Sequence, residues 1–152
     1  MKLRPANLDD IPALMGLQKN IIEYERSFDS GIRANAIYYS QDRLEEIIQS
    51  DTGKVVVIDA ENKLMGCGFG TITESSGWDA FDKKGYVGMM YVDPALRGKG
   101  FGKKILEYIL NWFSEKDILD VQLNVYPNNT RALELYRSYG FEDHLMYMRK
   151  LK

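Results

Sequence analysis

The strongest chemical feature of the sequence is a stretch of cations and glycines at residues 97–104 that contains no acidic residue. The strand pattern before it and the amphipathic helix pattern after it place it at a strand-to-helix turn. Glycines at alternate positions let backbone N–H groups converge, and a helix N-terminus adds partial positive charge. This combination favours binding of an anion with several oxygens, such as a phosphate. The residues are Arg97, Gly98, Lys99, Gly100, Gly102, Lys103 and Lys104.

Two common phosphate-binding loops do not fit this stretch. A dinucleotide-binding fingerprint requires a third glycine three residues after the second, and the residue three after Gly100 is Lys103. A P-loop requires a glycine five residues before its Gly-Lys-Ser/Thr. Here Arg97 stands at that position relative to Gly102, and Lys104 replaces the Ser/Thr. The stretch is therefore predicted to be an anion site of another kind.

The elements that must position this site alternate between helical and strand periodicity. Asn7 is predicted to cap the first helix, and the aromatic segment 25–40 is predicted to be a loop or loosely helical lid. No internal repeat or linker divides the chain. The order predicts an α+β fold in which helices cover a partly antiparallel sheet. Strands are predicted at 3–6, 54–59, 64–73, 86–92, 121–125 and 141–151, and helices after Asn7, at 41–49, after Gly102 and at 130–139.

Composition narrows the classes of function. The 152 residues predict one domain, 1–152, and 20 basic against 22 acidic side chains disfavour a general nucleic-acid binder. A single histidine and a single cysteine exclude a disulfide framework and a conventional Cys/His zinc site, so no metal is expected. The cysteine, Cys67, is interpreted as a small buried strand residue. The sequence contains no apolar run long enough to predict a membrane span, and its start does not resemble a secretion segment. A cytoplasmic location is therefore expected.

Two motifs carry a resemblance to a known family. The loop Arg97-x-x-Gly100-x-Gly102 resembles the Gln/Arg-x-x-Gly-x-Gly/Ala pyrophosphate loop of the GCN5-related N-acetyltransferases, the GNAT superfamily. Downstream, Asn129-x-x-Ala132-x-x-x-Tyr136-x-x-x-Gly140-Phe141 is similar to the helix and turn that follow the family's fifth strand. The opening Leu3-Arg4-Pro5-Ala6, followed by Asp9-Asp10, also looks like the family's start. The resemblance covers nearly the whole chain and is strongest from 85 to 141.

The resemblance implies a mixed, largely antiparallel sheet of about seven strands with helices on both faces. Its fourth and fifth strands, here 86–92 and 120–126, would splay apart to admit acetyl-CoA. A splayed strand has unpaired N–H and C=O groups with which an amide-bearing cofactor can pair. The implied cofactor-binding residues are Met90, Tyr91 and Val92 for the pantetheine arm, Arg97, Gly98, Lys99, Gly100, Phe101, Gly102 and Lys103 for the pyrophosphate, and Asn129 for the arm.

The reaction implied by the resemblance is direct attack of a primary amine on the thioester in a ternary complex. It needs a neutral amine, a stabilised oxyanion and a protonated leaving thiolate. Tyr136 matches the family tyrosine that protonates the sulfur, and backbone N–H near Met90 would polarise the carbonyl. The alternative roles are core packing for Tyr136 and helix capping for Asn129. Asn124 is expected to position the acceptor or cofactor.

The general base is left open by the sequence. Many family members have a glutamate on the fourth strand where this chain has Gly88. Glu23, Glu25, Asp29 and Glu74 remain as substitutes, with a water chain as the carrier.

The acceptor is expected to lie between the first helix, the 24–40 segment and the sheet. Glu23, Tyr24, Phe28 and Asn124 are the predicted substrate-binding residues. Residues 1–76 hold 8 basic and 12 acidic side chains, a net charge of −4, which favours an amine that is cationic overall. The sequence does not determine whether the acceptor is a small molecule or a peptide. It also leaves open whether the protein is a homodimer. The alternatives are a catalytically weak CoA-binding or ligand-sensing module of the same fold, and a nucleotide-binding regulatory domain.

Overall fold

The computed structural model describes residues 1–61 and 63–152, and within these ranges it contains five strands and four α-helices. Short 3₁₀ turns at Leu8–Asp10 and Pro94–Leu96 precede the first and third helices. In chain order the elements are β1 (Lys2–Pro5), α1 (Ile11–Arg26), α2 (Gln41–Gln49), β2 (Gly53–Asp59), β3 (Leu64–Glu74), β4 (Lys83–Val92), α3 (Phe101–Glu115), β5 (Asp120–Gln122) and α4 (Thr130–Ser138).

The strands form one mixed sheet in the order β1-β2-β3-β4-β5. The first three pairs are antiparallel, and β4 and β5 are parallel. Helices α1 and α2 pack on one face, and α3 and α4 pack on the other. Because helices cover both faces, the buried strand β2 is a continuous apolar run from Val55 to Ile58 instead of an alternating one. The predicted α+β class with helices on both faces is confirmed.

A β-bulge interrupts β4 near its end. Phe69 of β3 pairs with Gly88, whereas Cys67, two residues earlier, pairs with Tyr91, so β4 contains one extra residue. Met89 lies in this bulge with a φ of 54°, and its carbonyl accepts a hydrogen bond from the Cys67 thiol at 3.3 Å. Bulges of this kind bend a strand and redirect its backbone groups.

Strands β4 and β5 remain paired over only three positions, ending at Tyr86 and Gln122. Beyond Tyr86, β4 continues to Val92 without a pairing partner on its β5 side among the described residues. The gap that opens between the two chains is called the fork below. The six residues of β4 beyond Tyr86 keep their neighbour β3 on one side and have no paired strand among the described residues on the other.

The other edge of the sheet is closed by a hydrogen-bonded ion cluster. Arg4 donates to both carboxylate oxygens of Asp10, at 2.7 and 2.9 Å, and to Asp59 at 2.9 Å. The Asp10 carboxylate also accepts the backbone N–H of Asn7 at 2.8 Å, which completes the cap predicted at Asn7. The hydrogen bonds from Arg4 hold the pKa of Asp10 below its ordinary value.

The structure has five strands where about seven were expected, and the strand predicted over 141–151 is absent from the described residues. The pattern of that segment is strand-like, but β-propensity is realised only where a neighbouring strand supplies backbone partners. Here β5 ends after three residues. The large side chains of the segment remain between 80% and 96% exposed; they are Leu145, Met146, Tyr147 and Met148.

Candidate active site

The loop between β4 and α3 is built to approach an anion. Gly98 and Gly100 have φ values of 78° and 80°, in the left-handed region that favours glycine. Gly100 directly precedes α3, and no side chain in the described ranges caps the N–H groups of that helix. A Cβ at Gly98 or Gly100 would meet no atom within 4 Å, so the space in front of the helix is open. Uncapped N–H groups facing open space fit a diphosphate.

The cations of the loop play different parts. Lys99 and Lys103 are exposed and form no ion pair with any described residue. Lys103 also lines a groove of about 310 Å³ between α3 and α4, together with Arg131. Lys104 instead lies over the ring of Phe101, 5.0 Å from its centroid. Two cations therefore remain available for a bound anion at the start of α3.

Arg97 is turned back across the end of β4. Its Nε donates to the carbonyl of Val92 at 3.2 Å, and its guanidinium lies 5.4 Å from the ring centroid of Tyr24. It thus links the anion loop to α1, a contact that sequence reasoning missed. Met90 and Tyr91 lie on the part of β4 that has lost its β5 neighbour, where the cofactor arm was expected.

Tyr136 places a hydroxyl beside the fork from α4. Its side chain is 8% exposed and packs edge-on against Phe141, with 5.9 Å between the ring centroids. Burial, with smaller contributions from Tyr86 and Glu25, raises its pKa to about 12. No described residue makes a hydrogen bond to its hydroxyl. Tyr136 is therefore both a packing residue and an uncommitted proton donor at neutral pH.

Asn129 caps α4, because its side-chain oxygen accepts the backbone N–H of Ala132 at 3.3 Å. The amide N–H groups of the same side chain remain available to a ligand. Asn124 is exposed, and its side chain acts on Tyr86, where it opposes the rise in pKa that burial causes. Both asparagines follow β5, so they border the fork on the side opposite β4.

An aromatic row connects the end of α1 to the chain beyond β5. Tyr24 packs edge-on against Phe28 at 5.1 Å, and Phe28 stacks on Tyr126 at 6.1 Å. The Tyr126 hydroxyl donates to Asp29 at 2.9 Å, and Asp29 also forms an ion pair with Arg149 at 2.9 Å. Sequence reasoning missed Tyr126, although an aromatic residue directly before Pro127 at the end of a predicted strand was the available signal.

The acidic residues near this row point in different directions. Glu23 pairs with Arg26 on the surface of α1, and its side chain is 60% exposed. The carboxylate of Glu25 accepts a hydrogen bond from the hydroxyl of Tyr38 at 2.6 Å.

The described residues contain no group of three or more His, Cys, Asp or Glu side chains that could hold a metal ion. None of the helices in the described ranges is long and apolar enough to cross a bilayer.

Comparison with known families matches the chain to a model described as the Acetyltransferase (GNAT) family over residues 21–141. The chain belongs to the GNAT family. The match confirms the resemblance carried by Arg97-x-x-Gly100-x-Gly102 and by the motif around Tyr136. Members of this family are acetyl-CoA-dependent N-acetyltransferases.

Curated relatives of this GNAT chain acetylate several kinds of compound, as their names state. It is 29% identical over 103 residues to spermine/spermidine N(1)-acetyltransferase of Bacillus subtilis, covering 65% of this chain and 66% of the relative. It is 29% identical over 99 residues to mycothiol acetyltransferase of Renibacterium salmoninarum, covering 64% of this chain and 28% of the relative. The match to the yeast N-alpha-acetyltransferase 30 spans 33% of that protein. The chain thus matches only part of each relative.

Solved structures share the fold over the full chain. A predicted acetyltransferase from Clostridium acetobutylicum, crystallised with acetyl-CoA, superposes with a TM-score of 0.77 at 20% identity, covering 99% of this chain and 95% of that one. A GCN5-related N-acetyltransferase from Ralstonia eutropha gives 0.78 at 18% identity, covering 99% and 97%. At these identities the likeness establishes the fold of the GNAT chain.

Proposed function

We propose that this chain is an N-acetyltransferase that transfers the acetyl group of acetyl-CoA to a primary amine by direct attack in a ternary complex. The observation that carries the proposal is the fork. There β4 loses its β5 neighbour near an uncapped helix N-terminus and near Tyr136, a largely buried tyrosine whose hydroxyl bonds to no described residue. We also infer that residues 1–152 act as one N-acetyltransferase domain.

The cofactor is assigned to the β4 side of the fork. The free backbone at Met90, Tyr91 and Val92 would pair with the amides of the pantetheine arm, as an added strand does. The N–H groups from Gly98 to Lys103, with Lys99 and Lys103 themselves, would bind the pyrophosphate. Arg97, whose Nε donates to Val92, would add its positive charge beside the loop, and Asn129 would donate its amide to the arm. When bound, acetyl-CoA supplies the activated thioester carbonyl.

The chain's own groups then have three tasks. The acceptor must lose a proton so that its nitrogen can attack, backbone N–H groups at the Met89 bulge must polarise the carbonyl, and the departing thiolate must be protonated. A carbon–nitrogen bond forms, the nitrogen of the adduct loses its surplus proton to solvent, and the carbon–sulfur bond breaks. Tyr136 gives its proton to the sulfur and recovers one from solvent, so the enzyme returns to its starting state.

The acceptor is assigned to the side formed by α1 and the segment after β5. Tyr24 and Phe28 offer ring faces, Asn124 offers an amide, and Glu25 offers a carboxylate. Aromatic faces and carboxylates both favour a cationic amine. Glu23 lies at the outer rim in its pair with Arg26 and contributes long-range attraction. The polyamine named for the Bacillus subtilis relative fits this preference.

The test compares amines in an assay of CoA thiol release from acetyl-CoA. Spermidine and tyramine should be acetylated, and tyramine should exceed tyrosine in kcat/KM by about 10-fold because tyrosine adds only a carboxylate. Raising the ionic strength should narrow that ratio, since partly exposed charges are screened. Equal use of tyrosine would contradict the electrostatic preference, and no acetylation of any amine would contradict the proposed activity.

A second candidate, a CoA-binding or ligand-sensing module with weak catalysis, is favoured by one observation. Position 88 of β4 carries no side chain that could serve as a base. Native mass spectrometry together with the thiol-release assay distinguishes the two candidates, because a sensing module would show bound CoA in the first and no thiol release with any amine in the second.

A further inference from the structure

No side chain can extend from β4 at position 88, where the family resemblance leads to the expectation of a glutamate base. A Cβ on Gly88 would lie 2.5 Å from Cζ of Phe69 and 3.1 Å from Cε1 of Tyr86. These two rings fill the space that a longer side chain would need. The proton acceptor for the proposed reaction must therefore come from another element.

The last turn of α1 bridges the two sides of the fork. Tyr24 contacts Arg97, which follows β4, and Phe28 stacks on Tyr126, which follows β5. Glu25 lies between Tyr24 and Phe28 in the chain. Glu25 therefore belongs to the same end of α1 that makes both contacts.

Two of the other acids suggested by the sequence are already engaged. Glu23 is paired with Arg26 on the exposed side of α1. Asp29 accepts the backbone N–H of Gly31 and the Tyr126 hydroxyl, and it pairs with Arg149. These contacts, led by the Gly31 hydrogen bond, hold the pKa of Asp29 below its ordinary value, which makes it a poor proton acceptor.

Glu74 lies at the wrong end of the sheet. It pairs in register with Lys83 at the start of β4, and six residues separate Lys83 from Met89. At the rise of a β-strand this separation is roughly 20 Å. Glu74 is therefore too far from the bulge to receive a proton there.

Glu25 still has a carboxylate oxygen that can accept a proton. One of its oxygens, Oε2, accepts the Tyr38 hydroxyl at 2.6 Å, and no described residue donates to Oε1. Burial is the main cause of the raised pKa values of Tyr86 and Tyr136, and the Glu25 carboxylate adds to both. Its charge thus acts on both sides of the fork. The titratable groups on which its charge acts are Tyr38, Tyr39, Tyr86, Tyr126 and Tyr136. Other charges act on the same tyrosines: Arg43 on Tyr39, and Asp29 and Arg149 on Tyr126.

We propose that Glu25 accepts the proton that the amine loses, and that Tyr38 is the positioning residue that holds its carboxylate. The assignment rests on the proposed function. The ammonium N–H bond breaks and, through intervening water, an O–H bond forms at Oε1 of Glu25, which leaves a neutral amine to attack. Glu25 then releases the proton to solvent. Tyr136 separately supplies the proton of the thiol, so neither group has to do both tasks.

The test measures kcat/KM from pH 6 to 10 with saturating acetyl-CoA and two probes of similar size, ethylamine and 2,2,2-trifluoroethylamine. Fluorine makes the second ammonium far more acidic, so it needs little help to lose its proton. Glu25→Gln should lower kcat/KM for ethylamine at pH 7 by about 100-fold, the scale of one general base. The loss should shrink as pH rises and should be much smaller for trifluoroethylamine.

Glu74→Gln is the matched control, because it neutralises an exposed acid that pairs with Lys83 at the far end of β4. It should change neither the pH profile nor the ratio between the two amines. Tyr38→Phe should shift the profile in the same direction as Glu25→Gln but by less, and added formate should partly restore Glu25→Ala.

An unchanged pH profile and amine ratio in Glu25→Gln, while the wild-type protein acetylates ethylamine, would overturn this assignment and leave the proposed function standing. No turnover of ethylamine, spermidine or tyramine by the wild-type protein would overturn both.

Discussion

The two edges of the sheet treat their polar groups in opposite ways. At the β1 edge, Arg4 is bound by Asp10 and Asp59, and the Asp10 carboxylate also takes a backbone N–H. At the fork, β4 runs from Val87 to Val92 without a β5 partner among the described residues, and the N-terminus of α3 has no side-chain cap. At the β1 edge these charged side chains are satisfied within the chain, whereas the fork leaves backbone N–H and C=O groups for something outside it.

The difference indicates where the structure serves stability and where it serves binding. Buried or half-buried backbone groups are nearly always paired in proteins, so a run of unpaired ones marks a place where a ligand completes the structure. The same contrast holds for charge, since Arg4 is fully engaged while Lys99 and Lys103 pair with no described acid. Substitutions at the fork should therefore change activity, and those at the β1 edge should change stability.

The largest effect is expected at Tyr136. Tyr136→Phe keeps the buried ring and removes the unpartnered hydroxyl, so kcat should fall about 10- to 1000-fold while the Kd for acetyl-CoA stays nearly the same. Steady-state kinetics and calorimetric titration measure the two quantities. Tyr139→Phe is the control, because that hydroxyl bonds to Glu107 on the surface. Intact turnover in Tyr136→Phe would mean that the thiolate takes its proton from water.

The next largest effect is expected at Gly100. Valine there must adopt a φ of 80°, which strains a β-branched residue, and its side chain would occupy the open space before α3. Acetyl-CoA binding should weaken by at least about 2 kcal/mol, roughly the value of one or two charge-assisted hydrogen bonds. In Gly77→Val, by contrast, the added side chain enters open space without a left-handed backbone, and affinity should not change. Equal calorimetric affinity in folded Gly100→Val would reject the loop as the anion site.

The smallest effect is expected at the β1 edge. Asp10→Asn should lower the free energy of unfolding near pH 7 by about 1.5 kcal/mol, the scale of a hydrogen bond to a charged group, and leave kcat unchanged. The pKa of Asp10 is lowered in the fold, so its stabilisation is complete above the ordinary value of 3.8 and is lost as the pH falls towards the folded value. Urea unfolding of the wild-type protein and of Asp10→Asn should show that the difference in their free energies of unfolding becomes smaller in acid. A loss of activity equal to that at the fork would break the contrast between the edges.

Much of the fold was predictable because local patterns determine it. The caps at Asn7 and Asn129, the buried run of β2 and the glycine loop before α3 follow from residue type and spacing alone. The end of the chain was not predictable in this way. Its strand-like residues near Leu145 depend on a neighbouring strand, and periodicity carries no information about whether a neighbour is present.

The two sides of the candidate site also differ in how well the sequence predicts them. The anion loop is contiguous in sequence, so its glycines and cations could be found by inspection. The acceptor side is assembled from residues far apart in the chain, and the bond between Tyr126 and Asp29 joins positions 97 residues apart. Sequence reasoning offered Glu23 and Glu25 alike as substitutes for the general base, and it predicted only Glu23 to bind the substrate. Only the three-dimensional packing shows that the first faces Arg26 and the second faces Tyr38.

The thiol of Cys67 has a practical consequence. It is the single cysteine of the chain, it has no exposed surface, and burial raises its pKa to about 12. A thiolate-selective reagent should therefore leave the folded protein unmodified, so that in the thiol-release assay its signal comes only from the CoA that the reaction releases. The same thiol donates a hydrogen bond to the Met89 carbonyl. The rate at which the reagent slowly labels Cys67 in the absence of substrate would therefore report how often the sheet opens at the bulge.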